Sequence, residues 1–175
     1  MAPDVWTEAD LDSLPDDGNR FEILEGSLLA TPPRGGRHQY IGDELRGRLS
    51  SAAPPGWRVV TAIGVRVPRG NLIPDIVVLR AGADLDLTWH DAADVALVVE
   101  IASPSTETID RGSKALKYAE ARIPSYWRVA VDGTLTVHEL AADAGYAVVA
   151  TAAPGDTWTA TQPFDVTITP ADLLD

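Results

Sequence analysis

The chain has 175 residues, a length typical of one domain with a sizeable core, and 45% of its residues are hydrophobic. The absence of cysteine excludes disulfides and thiolate metal sites, and no apolar run approaches the roughly 18 residues of a membrane span. The net charge of −12 argues against a general binder of polyanions. We therefore expect one cytoplasmic domain over residues 1–175, without a signal or transit peptide and without a membrane partner.

The N-terminal half of the chain alternates short strands with one amphipathic helix. Thr7 can cap a short helix in "WTEADLDSLP", and Glu25 and Gly26 can turn a hairpin in "RFEILEGSLLAT". Apolar residues recur every four positions between His38 and Ser50, which predicts an amphipathic helix. Two strand-like stretches follow, "WRVVTAIGVRV" and "NLIPDIVVLR", before the polar segment "AGADLDLTWHDAAD".

The C-terminal half begins with the most apolar strand of the chain. "VALVVEIA" is interrupted only by Glu100, which is typical of a strand covered on both faces. A helix capped by Ser105 or Thr106 is predicted from about Glu107 to Arg122. Beyond it we expect a hairpin in "SYWRVAVDGTLTVHEL", a continuing antiparallel meander in "YAVVATAAPGDTWTA" and a closing helix in "TPADLLD". The predicted fold class is α/β, with a mixed central β-sheet flanked by helices and a β-rich C-terminal meander.

The positive charge is concentrated in one part of the chain. Residues 26–83 carry eight arginines and three acids, a net of +5, whereas both ends of the chain are acidic. This segment is either an electrostatic footprint for nucleic acid or a set of arginine-rich surface elements with no such role. For the first interpretation, the loop residues Arg34, Arg37 and Arg69 are the best candidates for phosphate contacts.

Two carboxylates occupy positions where burying a charge is costly. Asp75 follows Pro74 and leads into "IVVLR", and Glu100 interrupts the apolar strand. A buried carboxylate costs several kcal/mol unless it meets a cation or hydrogen-bond donors. A divalent cation such as Mg²⁺ or Mn²⁺ would serve both residues. The alternative is a buried salt bridge, for example between Glu100 and an arginine.

The predicted helix after Glu100 contains the only two lysines of the chain, Lys114 and Lys117, against twelve arginines. Together with Asp110 they fall on one side of the helix, opposite an apolar side formed by Leu116, Ala119 and Ile123. One lysine could reach the carboxylates at the strand end. The alternative is a solvated helix face with an Asp110–Lys114 ion pair. The three histidines are scattered without zinc-site spacing.

The order and spacing of these stretches resemble the PD-(D/E)XK nuclease superfamily and, more narrowly, its Uma2 family of restriction-endonuclease-like proteins. The matching stretches, which cover most of residues 20–130, are "RFEILEGSL", "PDIVVL", "VVEIASPST", "DRGSKALKY" and "IPSYWRV". The resemblance implies a restriction-endonuclease-like core. It also implies that Asp75, Glu100 and the backbone carbonyl of Ile101 are metal ligands.

The resemblance assigns a lysine and an accessory acid as well. The usual superfamily lysine lies two residues after the glutamate, where this chain has Ala102, but the Uma2 family places its lysine on the following helix, at Lys114. Glu22 matches a glutamate of the family's hairpin and would be an accessory catalytic acid; otherwise it is an exposed strand residue. Lys117 matches no fixed family position and is expected to be a solvated or snorkelling residue. Tyr118 matches a recurring aromatic with a structural role.

The implied activity is a Mg²⁺-dependent endodeoxyribonuclease, with Mn²⁺ as the alternative cation and DNA as the partner. A lysine can orient or deprotonate the attacking water because its pKa shifts readily, whereas arginine stays protonated. The alternative function is a catalytically inactive nuclease-fold module that binds nucleic acid or a protein partner. The sequence is compatible with a homodimer but leaves the oligomeric state and the target sequence open.

Overall fold

A computed structural model describes residues 5–103 and 110–175 of the chain. The helices are α1 (Glu8–Leu11), α2 (Gly36–Ala52) and α3 (Ala115–Glu120), the last preceded by a π-helical turn over Asp110–Lys114, and 3₁₀ helices cover Ala92–Asp94 and Pro170–Leu173. The strands are β1 (Arg20–Leu24), β2 (Ser27–Thr31), β3 (Arg58–Thr61), β4 (Gly64–Val67), β5 (Gly70–Leu72), β6 (Ile76–Leu79), β7 (Trp89–Asp91), β8 (Val95–Ile101), β9 (Ser125–Val129), β10 (Leu135–Leu140), β11 (Tyr146–Ala152), β12 (Trp158–Ala160) and β13 (Val166–Ile168). Among the described helices, none has the length and apolar character needed to cross a bilayer.

The strands form two larger sheets and a C-terminal hairpin. One sheet has the order β2-β1-β5-β4-β7, the other the order β11-β10-β9-β8-β6-β3, and β12 pairs with β13. Both larger sheets are mixed, because β4 runs parallel to β7 and β8 runs parallel to β9 while their other pairs are antiparallel. The predicted α/β class with mixed pairing is confirmed, although the expected central sheet is divided into two.

The six-stranded sheet is covered on both faces, as the apolar pattern of β8 predicted. Every residue of β6 and of β8 is buried. Val99 and Ile101 face a core shared with α2 and the C-terminal hairpin, whereas Val98 faces a second core shared with the five-stranded sheet and Tyr118 of α3. Because side chains alternate along a strand, Glu100 points to the same side as Val98. The glutamate is thus directed toward the five-stranded sheet and α3.

Helix α2 packs closely against the end of β8. Its buried apolar residues recur at the predicted four-residue spacing: Ile41, Leu45 and Leu49. Gly42 lies beside Ile101, since a Cβ atom there would come 3.4 Å from Cδ1 of that residue, at the edge of ordinary van der Waals contact. His38 lies one helical turn before Gly42 and therefore on the same side of α2. This packing carries the histidine to the carboxyl end of β8.

Two strands, β7 and β13, lie outside the stretches that were predicted to form strands. β7 lies within the segment interpreted as a polar excursion, yet Trp89 and His90 are buried. The strand pairs in parallel with β4, and Gly64 leaves room for the indole ring of Trp89. A strand of three residues is too short to show a periodic pattern, so its neighbours in space determine it.

The helix predicted from Glu107 to Arg122 is described from Asp110 onward and ends at Glu120. Arg122 adopts a left-handed conformation with φ of 63°, which stops the helix ahead of Pro124. The predicted caps, Ser105 and Thr106, lie outside the described residues, as does the side chain of Asp110 that would pair with Lys114.

Candidate active site

The start of β6 and the end of β8 meet at one end of the six-stranded sheet. The two strands are antiparallel with Ile76 opposite Val99, and the amide of Asp75 donates to the carbonyl of Val99 at 3.0 Å. Asp75, the residue before β6, therefore lies beside Glu100. Both residues are buried, with exposed fractions of 5% and 0%. The fold brings together the two carboxylates that the sequence analysis assigned to a metal.

The carboxylate of Asp75 accepts hydrogen bonds from three different elements. Arg20 Nη1 donates to Oδ1 at 2.9 Å, and the amide of Ile101 donates to Oδ2 at 2.7 Å. His38 Nε2 lies 3.2 Å from Oδ2 and 3.0 Å from the carbonyl oxygen of Ile101. Because both of these oxygens are acceptors, Nε2 carries the hydrogen in this arrangement.

Glu22 and Glu100 share Lys114. The amine of Lys114 lies 3.0 Å from Oε1 of Glu22 and 3.3 Å from Oε1 of Glu100. Glu22 also accepts from the amide of Ile73 at 2.7 Å, and the hydroxyl of Tyr118 donates to Oε1 of Glu100 at 2.5 Å. Glu22 is only 1% exposed, so its interpretation as an exposed strand residue is wrong. The buried salt bridge that was the alternative interpretation of Glu100 is present, with Lys114 as a cation.

The second lysine is not solvated, and its amine reaches acids that are half-exposed. Lys117 is buried, contacts Glu25 and donates to Glu120 at 2.7 Å. Leu116, which was assigned to the apolar side of the helix, is 67% exposed. The helix therefore turns both lysines inward, where Lys114 meets Glu22 and Glu100 and Lys117 meets Glu25 and Glu120.

The charges around Asp75 change its acidity. Burial alone would raise the pKa of the Asp75 carboxyl, but the hydrogen bond and charge of His38, the charge of Arg20 and the amide of Ile101 together hold this pKa at about 2. Burial also raises the pKa of the Tyr118 hydroxyl well above its ordinary value, and the negative charge of Glu100 adds to that effect. Tyr118 therefore remains a hydrogen-bond donor.

Lowering the pH should reduce the free energy of unfolding of the metal-free protein, because Asp75 becomes protonated. Since the folded pKa of about 2 lies below the unfolded value, ionised Asp75 stabilises the fold above about pH 4, and this contribution is lost as the pH falls toward 2. Urea unfolding of wild type and Asp75→Asn checks this. The difference between their free energies of unfolding should be about 1 kcal/mol smaller at pH 3 than at pH 6. An equal difference at both pH values would show that the ionised carboxylate is not the stabilising species.

Sequence reasoning missed two members of this cluster, Arg20 and His38. Arg20 lies two residues before Glu22 on β1, so the strand period places both side chains on one face. His38 lies three and seven residues before Ile41 and Leu45, which places an imidazole on the buried face of a predicted helix. The strand period at Arg20 and the helix period at His38 indicate that both side chains are buried, but neither period shows which residue each side chain contacts.

The donor atoms fit a hard divalent cation. Two carboxylates and a backbone carbonyl supply oxygen ligands of the type that Mg²⁺ and Mn²⁺ bind. Oδ2 of Asp75 and the carbonyl oxygen of Ile101 converge, because both lie within 3.2 Å of the same nitrogen of His38. Within residues 5–103 and 110–175, no group of three or more His, Asp and Glu side chains surrounds a common metal position. The assignment of Asp75, Glu100 and Ile101 as ligands remains a prediction.

Arg34 lies near the same strand end. Its Nη1 donates to Oγ of Ser103 at 3.3 Å, and Ser103 follows Ile101 by two residues. Nε and Nη2 of Arg34 are shielded from solvent and have no hydrogen-bond partner in the part of the chain that the structure describes. A guanidinium with unused donors beside a carboxylate cluster can bind an anionic group by donating hydrogen bonds to it.

Comparisons with known proteins agree with this fold. The structure of a protein from Anabaena variabilis ATCC 29413, described as a putative nuclease belonging to DUF820, superposes with a TM-score of 0.76 at 17% sequence identity and covers 97% of each chain. No curated protein matches the chain. The model of the Uma2 family, described as "Putative restriction endonuclease", matches residues 8–171, which is nearly the whole chain. The chain therefore belongs to the Uma2 family.

Proposed function

We propose that this protein is a metal-dependent endonuclease that hydrolyses phosphodiester bonds in DNA. The observation that carries the proposal is the burial of Lys114 between Glu22 and Glu100, at the strand end that also holds Asp75. Membership of a family described as restriction endonucleases supports a nuclease function. The proposal specifies Mg²⁺ as the cofactor, with Mn²⁺ as the alternative, and DNA as the substrate.

Asp75, Glu100 and the carbonyl of Ile101 would hold the cation. A bound divalent cation supplies charge to the scissile phosphate and lowers the pKa of a coordinated water. Arg20 fixes Oδ1 of Asp75, and the amide of Ile101 fixes Oδ2. These two contacts orient the carboxylate before any ligand arrives, which lowers the cost of organising the site.

Lys114 acts on the attacking water or on the charge that develops as the phosphodiester bond breaks. Its amine lies within hydrogen-bonding reach of two carboxylates on different strands, and these two contacts restrict its position. A lysine amine can release or take up a proton, whereas a guanidinium stays protonated. This difference explains why the chain uses lysine here although it uses arginine at twelve other positions.

Tyr118 and Glu22 help to hold the amine of Lys114 in position. The hydroxyl of Tyr118 donates to Glu100, and Glu22 is tied to the amide of Ile73. These two hydrogen bonds restrict the carboxylates of Glu100 and Glu22, which are the groups that Lys114 contacts. In this proposal Glu22 is an accessory acid that positions the amine, and Tyr118 has a structural role.

The phosphate contacts should be centred on Arg34. Arg69 is already paired with Glu25 at 2.8 Å and Arg37 donates to the carbonyl of Leu174 at 3.2 Å, so the three candidate arginines are not equivalent. Replacing Arg34 with alanine should weaken DNA binding and reduce the slope of log K against log salt by roughly 0.9. Fluorescence anisotropy at several salt concentrations measures the slope.

Arg58→Ala is the matched control for Arg34→Ala. Arg58 is exposed and lies opposite Leu79, at the end of β6 remote from Asp75. We expect its replacement to leave the affinity for DNA and the salt slope unchanged. Equal slopes in Arg34→Ala and wild type would move the phosphate contacts to another surface.

Incubation of supercoiled plasmid with the protein tests the proposed activity. We expect nicked or linear DNA with Mg²⁺ or Mn²⁺ and no product with EDTA. The absence of cleavage with either cation would contradict the proposal.

A catalytically inactive nuclease-fold module is the second candidate. It is favoured by the way Arg20 and His38 balance the charge of Asp75 without a metal. Thermal unfolding with and without Mn²⁺ separates the two candidates, because a ligand that binds only the folded state raises the midpoint. An unchanged midpoint, together with DNA binding and no cleavage, would favour the inactive module.

A further inference from the structure

We propose that His38 is a further ligand of the divalent cation, through Nε2, and that this nitrogen makes the site prefer Mn²⁺ to Mg²⁺. The inference rests on the proposed function, since it adds a residue and a metal preference to the same centre. Sequence analysis assigned His38 no role, and the contacts of its ring with two proposed ligands suggest one.

The spacing of the atoms matches that of neighbouring ligands around one metal. Octahedral bonds of 2.0–2.1 Å place adjacent ligand atoms about 3 Å apart. Nε2 of His38 lies 3.0 Å from the carbonyl oxygen of Ile101 and 3.2 Å from Oδ2 of Asp75. A cation can therefore contact these three atoms without a large movement of the imidazole ring.

The fold holds the ring in this place. The side chain of His38 is 10% exposed and projects from α2, which packs against β8 through Ile41 and Leu45 in a shared core. A ring enclosed in this way is a pre-oriented ligand, because little rotamer freedom is lost when the cation binds.

The imidazole can change tautomer in place. A cation would replace the hydrogen on Nε2, and Nδ1 is the other ring nitrogen that can carry a proton. Nδ1 is buried and has no hydrogen-bond partner among residues 5–103 and 110–175. Oδ2 of Asp75 and the carbonyl oxygen of Ile101 hold the hydrogen on Nε2 in the metal-free protein, and a cation would take the place of that hydrogen between the same three atoms.

A nitrogen ligand changes which cation the site binds best. Carboxylate and carbonyl oxygens suit Mg²⁺ and Mn²⁺ alike, whereas imidazole favours first-row transition metals. A centre formed by Asp75, Glu100, Ile101 and His38 should therefore bind Mn²⁺ more tightly than Mg²⁺. Removal of the imidazole should reduce this preference.

Pulsed electron paramagnetic resonance of the Mn²⁺-loaded full chain tests the proposal. We expect nitrogen modulation that changes when histidine alone is labelled with ¹⁵N, and that disappears in His38→Gln. The Kd for Mn²⁺, measured by calorimetry, should rise at least about 10-fold in His38→Gln, with a smaller change for Mg²⁺. His138→Gln is the matched control, because His138 stacks on Tyr126 in another part of the sheet, and it should retain the modulation.

The outcomes separate this inference from the proposed function. If wild type binds Mn²⁺ and Asp75→Asn does not, but histidine labelling leaves the spectrum unchanged, His38 is not a ligand and the metal centre stands. If wild type does not bind Mn²⁺, both the inference and the metal centre are wrong. Should His38→Gln fail to fold, the labelled wild-type spectrum decides alone.

Discussion

Replacing Lys114 with arginine should reduce DNA cleavage by a factor on the order of 10²–10⁴ while metal and DNA binding persist. The substitution keeps a positive charge between Glu22 and Glu100 but removes the group that can exchange a proton. Because Lys114 is 2% exposed, the bulkier guanidinium must displace neighbouring atoms, so the thermal midpoint of the variant has to be measured as well. Single-turnover cleavage of plasmid at saturating Mg²⁺ or Mn²⁺ gives the rate.

Lys117→Arg is the matched control for Lys114→Arg. Lys117 is also buried, but its partners Glu25 and Glu120 are half-exposed and can accept a guanidinium equally well. We expect cleavage close to that of wild type. Equal activity in the two variants would mean that charge alone matters at Lys114, and loss confined to Lys117→Arg would mean that the active lysine had been misidentified.

Asp75→Asn and Glu100→Gln should each abolish binding of Mn²⁺ in calorimetry and, with it, detectable cleavage. Each substitution removes an anionic ligand and keeps the side-chain volume. Asp75→Asn should also lower the free energy of unfolding by on the order of 3 kcal/mol, since it leaves Arg20 and His38 without a carboxylate. That loss is smaller than the typical total stability of a domain.

Asp43→Asn controls for the loss of one negative charge. Asp43 is exposed on α2 and should bind metal and cleave DNA like wild type when replaced. Circular dichroism must show that the two site variants are folded. Wild-type affinity for Mn²⁺ in both folded site variants would mean that Asp75 and Glu100 are structural residues only.

Much of the fold could be predicted from local patterns. The period of Ile41, Leu45 and Leu49 identified α2, and the apolar run around Glu100 identified a strand covered on both faces. These predictions succeeded because each pattern is imposed by burial of one face or of both.

The site itself was predicted only in part. Asp75, Glu100, Lys114 and Glu22, which the family resemblance assigned to the site, lie near one another, and their roles remain a prediction. Arg20 and His38 join them through contacts between elements distant in sequence. Helix periodicity placed the lysines opposite Leu116 without showing which side faces the sheets. The carboxylates that Lys114 contacts lie on β1 and β8, distant in sequence, and no local pattern contains them.

The most direct test of the metal centre is anomalous diffraction from a crystal of the wild-type protein soaked in Mn²⁺. We expect a manganese peak at bonding distance from Asp75, from Glu100 and from the carbonyl oxygen of Ile101. A fully loaded crystal with no peak between β6 and β8, and with Arg20 and His38 still bound to Asp75, would contradict the account.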